Sequence, residues 1–242
     1  MKWINDKTGR FKKRPHYLPL ELDLECEAVL NEFFQHRTER IRFPISTADL
    51  TVLIEEYTQD FDSCKDLSEE GQDVEGITYF VRGEKPIVCI SHRLGAANLE
   101  NRLRTTLTHE LFHVLFHNSL YQDVSQPSLF EVLDGERNQS FKCMRDNIIG
   151  ASNYDWMEWQ AGYGCGAFLM PITPLNETVR EYKESHNLSF ETLTVESESG
   201  IDLTNTVSRA FQTSKDAARV RLLQKGILQD RQGQQSMRQQ FP

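Results

Sequence analysis

The sequence predicts an α+β protein in which a small twisted β-sheet packs on one helix that carries the chemistry, with a C-terminal helical element attached. Three observations predict it. Several segments repeat their apolar residues at helical spacing, and two short β-branched runs are joined by a glycine-containing turn. Third, residues 109–113 read His-Glu-Leu-Phe-His inside a helix-period stretch. Chance would supply such a pentad in a chain this long with odds of about one in a hundred.

Taken in order, residues 1–16 carry Lys2, Lys7, Arg10, Lys12, Lys13 and Arg14 with little to bury, and read as a flexible basic arm. No apolar stretch follows it, so a secretory signal is not expected. From Leu20 to Gln35, the residues Leu20, Leu24, Val29, Leu30, Phe33 and Phe34 form a helical stripe. Ser46, three residues before Asp49, is placed to cap a second helix running to Tyr57. The acidic segment from Gly71 to Gly76 reads as a turn. It leads into Ile77–Val81, then Arg82-Gly83 and Ile87–Ile90, a predicted hairpin.

Asn98 is a candidate cap for the pentad helix, from Leu99 to about Phe116. Leu103, Leu107, Leu111, Val114 and Leu115 supply its buried face, and Arg102, Thr106, His109 and His113 share the next. Residues 118–153 lack periodicity and read as a long excursion with a short strand at Ser140–Met144. Trp156–Met170 is helical and must stop at Pro171, which cannot continue the ladder. Glycine inside a helix costs about 1 kcal/mol relative to alanine. The run Ala161-Gly162-Tyr163-Gly164-Cys165-Gly166-Ala167 therefore predicts close approach to another helix. Helices at Pro174–Ser185, 201–211 and 214–225 follow, and the Gln-rich end from Gln229 is expected to be disordered. The domains expected are 1–16, 17–187, 188–228 and 229–242.

On a helix, positions four apart share a face, so His109 and His113 can offer two imidazole nitrogens to one metal ion. Glu110 can take a proton from water there. A catalytic zinc takes three protein ligands and keeps an open position. His117 continues the spacing, but at 1.5 Å rise per residue it lies roughly 12 Å from His109 on a straight helix. A supporting contact or compensation of the helix dipole suits it better. Glu158 is the favoured third ligand, because Ala161, Gly162 and Cys165 follow on its own face and would let its helix press on the pentad helix. A solvated glutamate among 36 acidic residues is the plain alternative, and Asp155 and Asp146 are further candidates. Zn2+ is the expected ion, with another divalent metal such as Mn2+ an alternative.

A net charge of −9 argues against a chain that coats nucleic acid over its whole surface. Residues 205–242 nevertheless carry seven Lys/Arg against two Asp. No apolar run is long enough to span a bilayer. The five scattered cysteines form no C-x-x-C pair, which suggests a reducing cytoplasmic setting.

The blocks Asn101–His113, Asp155-Trp-Met-Glu-Trp-Gln-Ala161 and Phe168-Leu-Met-Pro171 resemble the ImmA/IrrE family of metallopeptidases. The resemblance extends, less specifically, over residues 20–228. It implies a zincin-like metallopeptidase core with a helix-turn-helix-like C-terminal element. It also implies that His109, His113 and Glu158 are ligands and Glu110 the general base. The implied activity is zinc-dependent endopeptidase, and the implied substrate a helix-turn-helix repressor in bacteria or their mobile elements. Two departures are Phe112 and Gly162, where members often carry Gly and Asn. Tyr163, His92 and Tyr121 are candidates for stabilising an oxyanion, and Trp156, Trp159 and Tyr163 could line a groove or pack in the core. A metal-stabilised regulatory or DNA-binding protein is the rival reading, carried by Gln212-Thr213-Ser214 with Arg219 and Arg221. A toxin-like partner of a cognate regulator is another.

Overall fold

Ser46 caps the second helix as its spacing predicts: its Oγ accepts from the Asp49 amide at 3.0 Å, and the helix runs Thr47–Tyr57. Caps of the same kind at Ser197 and Ser214 start two C-terminal helices, each hydroxyl accepting from the amide three residues on. The computed structural model describes residues 1–37, 43–122, 139–144, 155–189 and 191–230, the backbone alone for 139–144. Asp146 and the residues from 231 onward fall outside it.

In chain order the elements are β1 (Lys2–Asn5), β2 (Lys13–His16), α1 (Pro19–His36), α2 (Thr47–Tyr57) and β3 (Asp60–Lys65). Next come β4 (Val74–Phe80), β5 (Ile87–Ser91), α3 (Glu100–Phe112), α4 (Ser119–Gln122) and β6 (Gln139–Met144). The chain continues with α5 (Trp156–Leu169), α6 (Ile172–Ser185), β7 (Leu193–Thr194), α7 (Glu198–Phe211), α8 (Lys215–Gln224) and β8 (Leu228–Gln229). The fold is α+β. A four-stranded sheet, order β3-β5-β4-β6, packs by β4, β5 and β6 on α3. The predicted hairpin is antiparallel with Thr78 opposite Val88, and β3 joins β5 in parallel.

Three features differ from the sequence expectations. Residues 1–16 are not a loose arm. β1 and β2 pair from Lys2↔His16 to Asn5↔Lys13, Phe11 is buried with Tyr121 and Trp156, and Arg10 pairs with Asp155 at 2.8 Å. Phe11, the Arg10–Asp155 and Met1–Glu21 ion pairs and a bond from Gln160 to the Pro15 carbonyl hold the hairpin, and none of these leaves a hydrophobic period in the sequence. In α1, Leu20 and Leu24 face outward, whereas Leu22, Asp23, Cys26, Leu30, Phe33 and Phe34 are buried. The charge of Asp23 on the inner face disguises the stripe's phase. In α3 the cap is not Asn98: the helix follows a 3₁₀ turn at Ala97–Leu99, and Leu99 occupies the cap position without a side-chain bond.

The main core joins α1, α2, α3, α5 and β5. A second cluster holds Met170, Leu175, Val179, Tyr182, Leu193, Leu203, Val207, Phe211, Ala218, Leu222 and Leu228. The inner face of α6 thus belongs with α7 and α8. Two buried arginines join the clusters. Arg104 of α3 donates to the carbonyls of Ile45, Phe211 and Gln212, closing the C-terminus of α7. Arg221 of α8 donates to the Met170 carbonyl at 3.1 and 3.2 Å and pairs with Asp23 at 2.6 Å. Lys225 also reaches Asp23, and the Tyr163 hydroxyl donates to it at 3.1 Å. Gln229, expected in a disordered tail, pairs with Thr194. Among the described residues no helix is long and apolar enough to cross a membrane.

Candidate metal centre

Small residues let α5 lie close on α3. A Cβ added at Gly164 would fall 1.9 Å from Cδ2 of Phe112, so only glycine admits that ring. Cys165 accepts from Thr108 Oγ1 at 3.2 Å, and its burial pushes the thiol up to about 11, leaving a packing group rather than a nucleophile. The close approach expected from the run 161–167 is therefore present, at the contact of Gly164 with Phe112.

That approach brings Glu158 to the pentad. Glu158 Oε2 lies 3.3 Å from His109 Nε2, Oε1 lies 3.3 Å from His113 Nε2, and the two imidazole nitrogens are 3.1 Å apart. The three side chains are buried, with ligand atoms all within 4.8 Å of one another. Among the described residues no other group of three His, Cys, Asp or Glu side chains has this arrangement.

The donors fit a metal ion. Two ligands about 2.0–2.1 Å from a tetrahedral ion stand about 3.4 Å apart, close to the spacings found. Two neutral imidazoles and a carboxylate are a donor set that zinc accepts. The group can hold a divalent ion, and its chemistry does not single out which. In the chain by itself, burial works against the Glu158 charge. Hydrogen bonds and charge from His109 and His113 outweigh it and hold the carboxyl well below the usual range. Burial likewise opposes charge on His109, yet Glu158 and Glu110 leave its imidazole above the ordinary value.

Glu110, fully buried, faces β4. Thr78 Oγ1 donates to its Oε2, while Oε1 has no hydrogen-bond partner among the described residues. Gly76 makes the approach possible: a Cβ there would stand 2.6 Å from Oε1 and 2.9 Å from Thr106 Cγ2. This glycine, expected in a turn, lies inside a strand because a carboxylate needs its space. Burial pushes the Glu110 carboxyl up against the charges of His113 and His109 and the Thr78 hydrogen bond. Next along the helix face, Thr106 bonds Glu75 at 3.5 Å, and Glu75 pairs with Arg102.

The remaining candidates sort clearly. Asp155 caps α5 through the Met157 amide at 3.0 Å and pairs with Arg10, so its oxygens are committed away from the donor group. The π-helical turn His113–His117 continues α3 and sets His117 behind His113, with Nδ1 atoms 2.9 Å apart. Tyr163 is turned to Asp23, Tyr121 lies in the aromatic cluster with its hydroxyl 3.9 Å from Met157 Sδ, and exposed His92 bonds the Lys65 carbonyl at 3.2 Å. Trp156 and Tyr163 are core residues. Sequence reasoning missed Thr78, Gly76 and Gln160, whose roles depend on which element they meet.

No family model and no curated protein matches the chain.

Proposed function

We propose that the chain is a zinc-dependent endopeptidase of the ImmA/IrrE kind, cutting a peptide bond in a helix-turn-helix repressor. One observation carries the reading: two helices converge a buried N,N,O donor set, and a buried carboxylate follows the first ligand directly, with one oxygen, Glu110 Oε1, that no described residue hydrogen-bonds. A zinc ion held there supplies Lewis acidity, polarising a carbonyl and making water acidic near neutral pH.

The chain's own groups do the rest. Thr78 fixes Oε2 of Glu110, which leaves Oε1 to accept a proton. Burial raises the proton affinity of that carboxyl, so it can hold the proton and return it to a departing amine. Glu158, seated by the Phe112–Gly164 contact, neutralises charge beside both imidazoles. The repressor as substrate rests on the resemblance alone.

The DNA-binding reading is weaker because, of the two arginines that carry it, Arg221 is buried on Asp23 and only Arg219 is exposed, beside Asp216. The test is to incubate the zinc-loaded protein with the regulator encoded beside it and look for a discrete cut by mass spectrometry. The cut should vanish with chelator and in Glu110→Gln, which keeps its zinc. Undiminished cleavage by that variant refutes the assignment.

A further inference from the structure

A chain of hydrogen bonds leads away from the donor group on the side opposite Glu158. His113 Nδ1 meets His117 Nδ1 at 2.9 Å, His117 Nε2 meets Gln160 Oε1 at 3.1 Å, and Gln160 Nε2 donates to the Pro15 carbonyl at 3.1 Å. His113, His117 and Gln160 are each at most 2% exposed. Aromatic rings wall the middle of the chain, Phe112 and Trp156 standing edge-on to His117 at 5.3 and 5.6 Å.

The far end fixes the direction of every bond. A backbone carbonyl can only accept, so the Gln160 amide must present its NH₂ to Pro15. Turning the amide over would set two oxygens 3.1 Å apart. Gln160 Oε1 therefore accepts from His117, which must carry its proton on Nε2. A neutral ring protonated there has a lone pair on Nδ1, so His113 Nδ1 must donate. His113 Nε2 then keeps its lone pair for the side where His109 and Glu158 converge. Were His117 to carry a proton on Nδ1, His113 would have to accept there, and its own proton would occupy Nε2.

We propose that His117 and Gln160 are positioning residues. Anchored by the Pro15 carbonyl, they hold His113 in the tautomer and ring orientation that a metal ion at Nε2 requires. The proposal rests on the reading of His113 as a ligand. It makes the N-terminal hairpin, through β2, part of the support of a site 98 residues further along the sequence. Such supporting partners are typically worth 10–100-fold in metal affinity.

The tautomers are read from long-range proton–nitrogen correlations of the histidine rings in the ¹⁵N-labelled, metal-free protein at neutral pH. His117 should carry a proton on Nε2 alone, and His113 should carry one on Nδ1. A proton on His117 Nδ1 overturns the proposal. Zinc affinity, measured by chelator competition, gives a second readout. His117→Asn places an acceptor oxygen near the Nδ1 position and should stay within a few-fold of the parent. His117→Phe fills the space without an acceptor and should lose about 10–100-fold. Equal affinities of the two variants overturn the relay. A parent protein that shows the stated tautomers but binds no zinc sinks the zinc reading and leaves the hydrogen-bond polarity standing. Zinc binding with reversed tautomers does the opposite.

Discussion

Phe112 lies with its ring directly over Gly164, at a distance where one added methyl would overlap Cδ2 at 1.9 Å. The two residues come from the two helices that carry the metal donors, so their fit sets the spacing of His109 and His113 from Glu158. Gly164→Ala forces those helices apart or the ring out of place. Overpacking of this kind costs about 1–3 kcal/mol, and zinc affinity should fall along with the melting temperature. Phe112→Leu in the same chain should restore part of both. If calorimetry and zinc titration of Gly164→Ala match the parent, the contact does not set the spacing.

Glu158→Ala should weaken metal retention, as measured by metal analysis after dialysis. Full zinc occupancy in that variant would remove Glu158 from the ligand set. Glu158→Gln keeps the volume, and its loss should be nearly as large because the charge beside the imidazoles is gone.

The same pair gives the metal-free protein a pH signature. The Glu158 carboxyl is depressed, so its contribution is full above its ordinary value of 4.5 and disappears as pH falls through the lower folded value. The His109 imidazole is raised, so its contribution is full below 6.5 and disappears as pH climbs through the higher folded value. The melting-temperature gap between parent and Glu158→Gln, with chelator present, should therefore be widest between about pH 4.5 and 6.5. A gap that keeps growing above that window contradicts the pairing.

Thr78→Val removes the donor to Glu110 Oε2 while preserving shape. A hydrogen bond to a charged group is worth about 1.5–3 kcal/mol. Turnover of a cleaved peptide should accordingly drop by on the order of tenfold or more with zinc content unchanged. Parent-like turnover would mean that the carboxylate needs no such fixing.

Asp23→Ala leaves Arg221 and Lys225 buried or half-buried without their carboxylate. Breaking a buried pair in this way costs about 3–5 kcal/mol, seen as a lower midpoint in urea. Asp23→Leu combined with Arg221→Met should cost less, because only the less buried Lys225 then lacks its carboxylate. A larger loss in the double variant would show that the ion pair itself, rather than the burial of a lone charge, sets the stability.

The pentad and Glu158 were legible because a helix converts sequence spacing into a shared face and because glycine in a helix needs a reason. Gly76 was legible only as a glycine: its purpose, room for Glu110, needs the strand and helix together. Strand β3 reads Asp-Phe-Asp-Ser-Cys-Lys and sits at the sheet edge, where no apolar alternation is demanded. Asp23 hid the inner face of the first turns of α1, since a pattern reading assigns a lone carboxylate to water, and Arg221 and Lys225, which meet it, lie some 200 residues away. His117 was set aside as a ligand on the geometry of a straight helix. The π-helical turn carries it against His113 Nδ1 instead.

The Arg10–Asp155 pair and the Gln160–Pro15 bond each join residues 145 positions apart. Contacts of such long range form late, because much of the chain must be ordered before they are rewarded. A growing chain displays both histidines of the pentad well before it contains α5. Until that helix arrives and docks against the waiting hairpin, it offers an ion only two nitrogens. For a chain that takes up an ion at this group, capture would be a closing step of folding, and the ion would report that the first and last parts of the core have met.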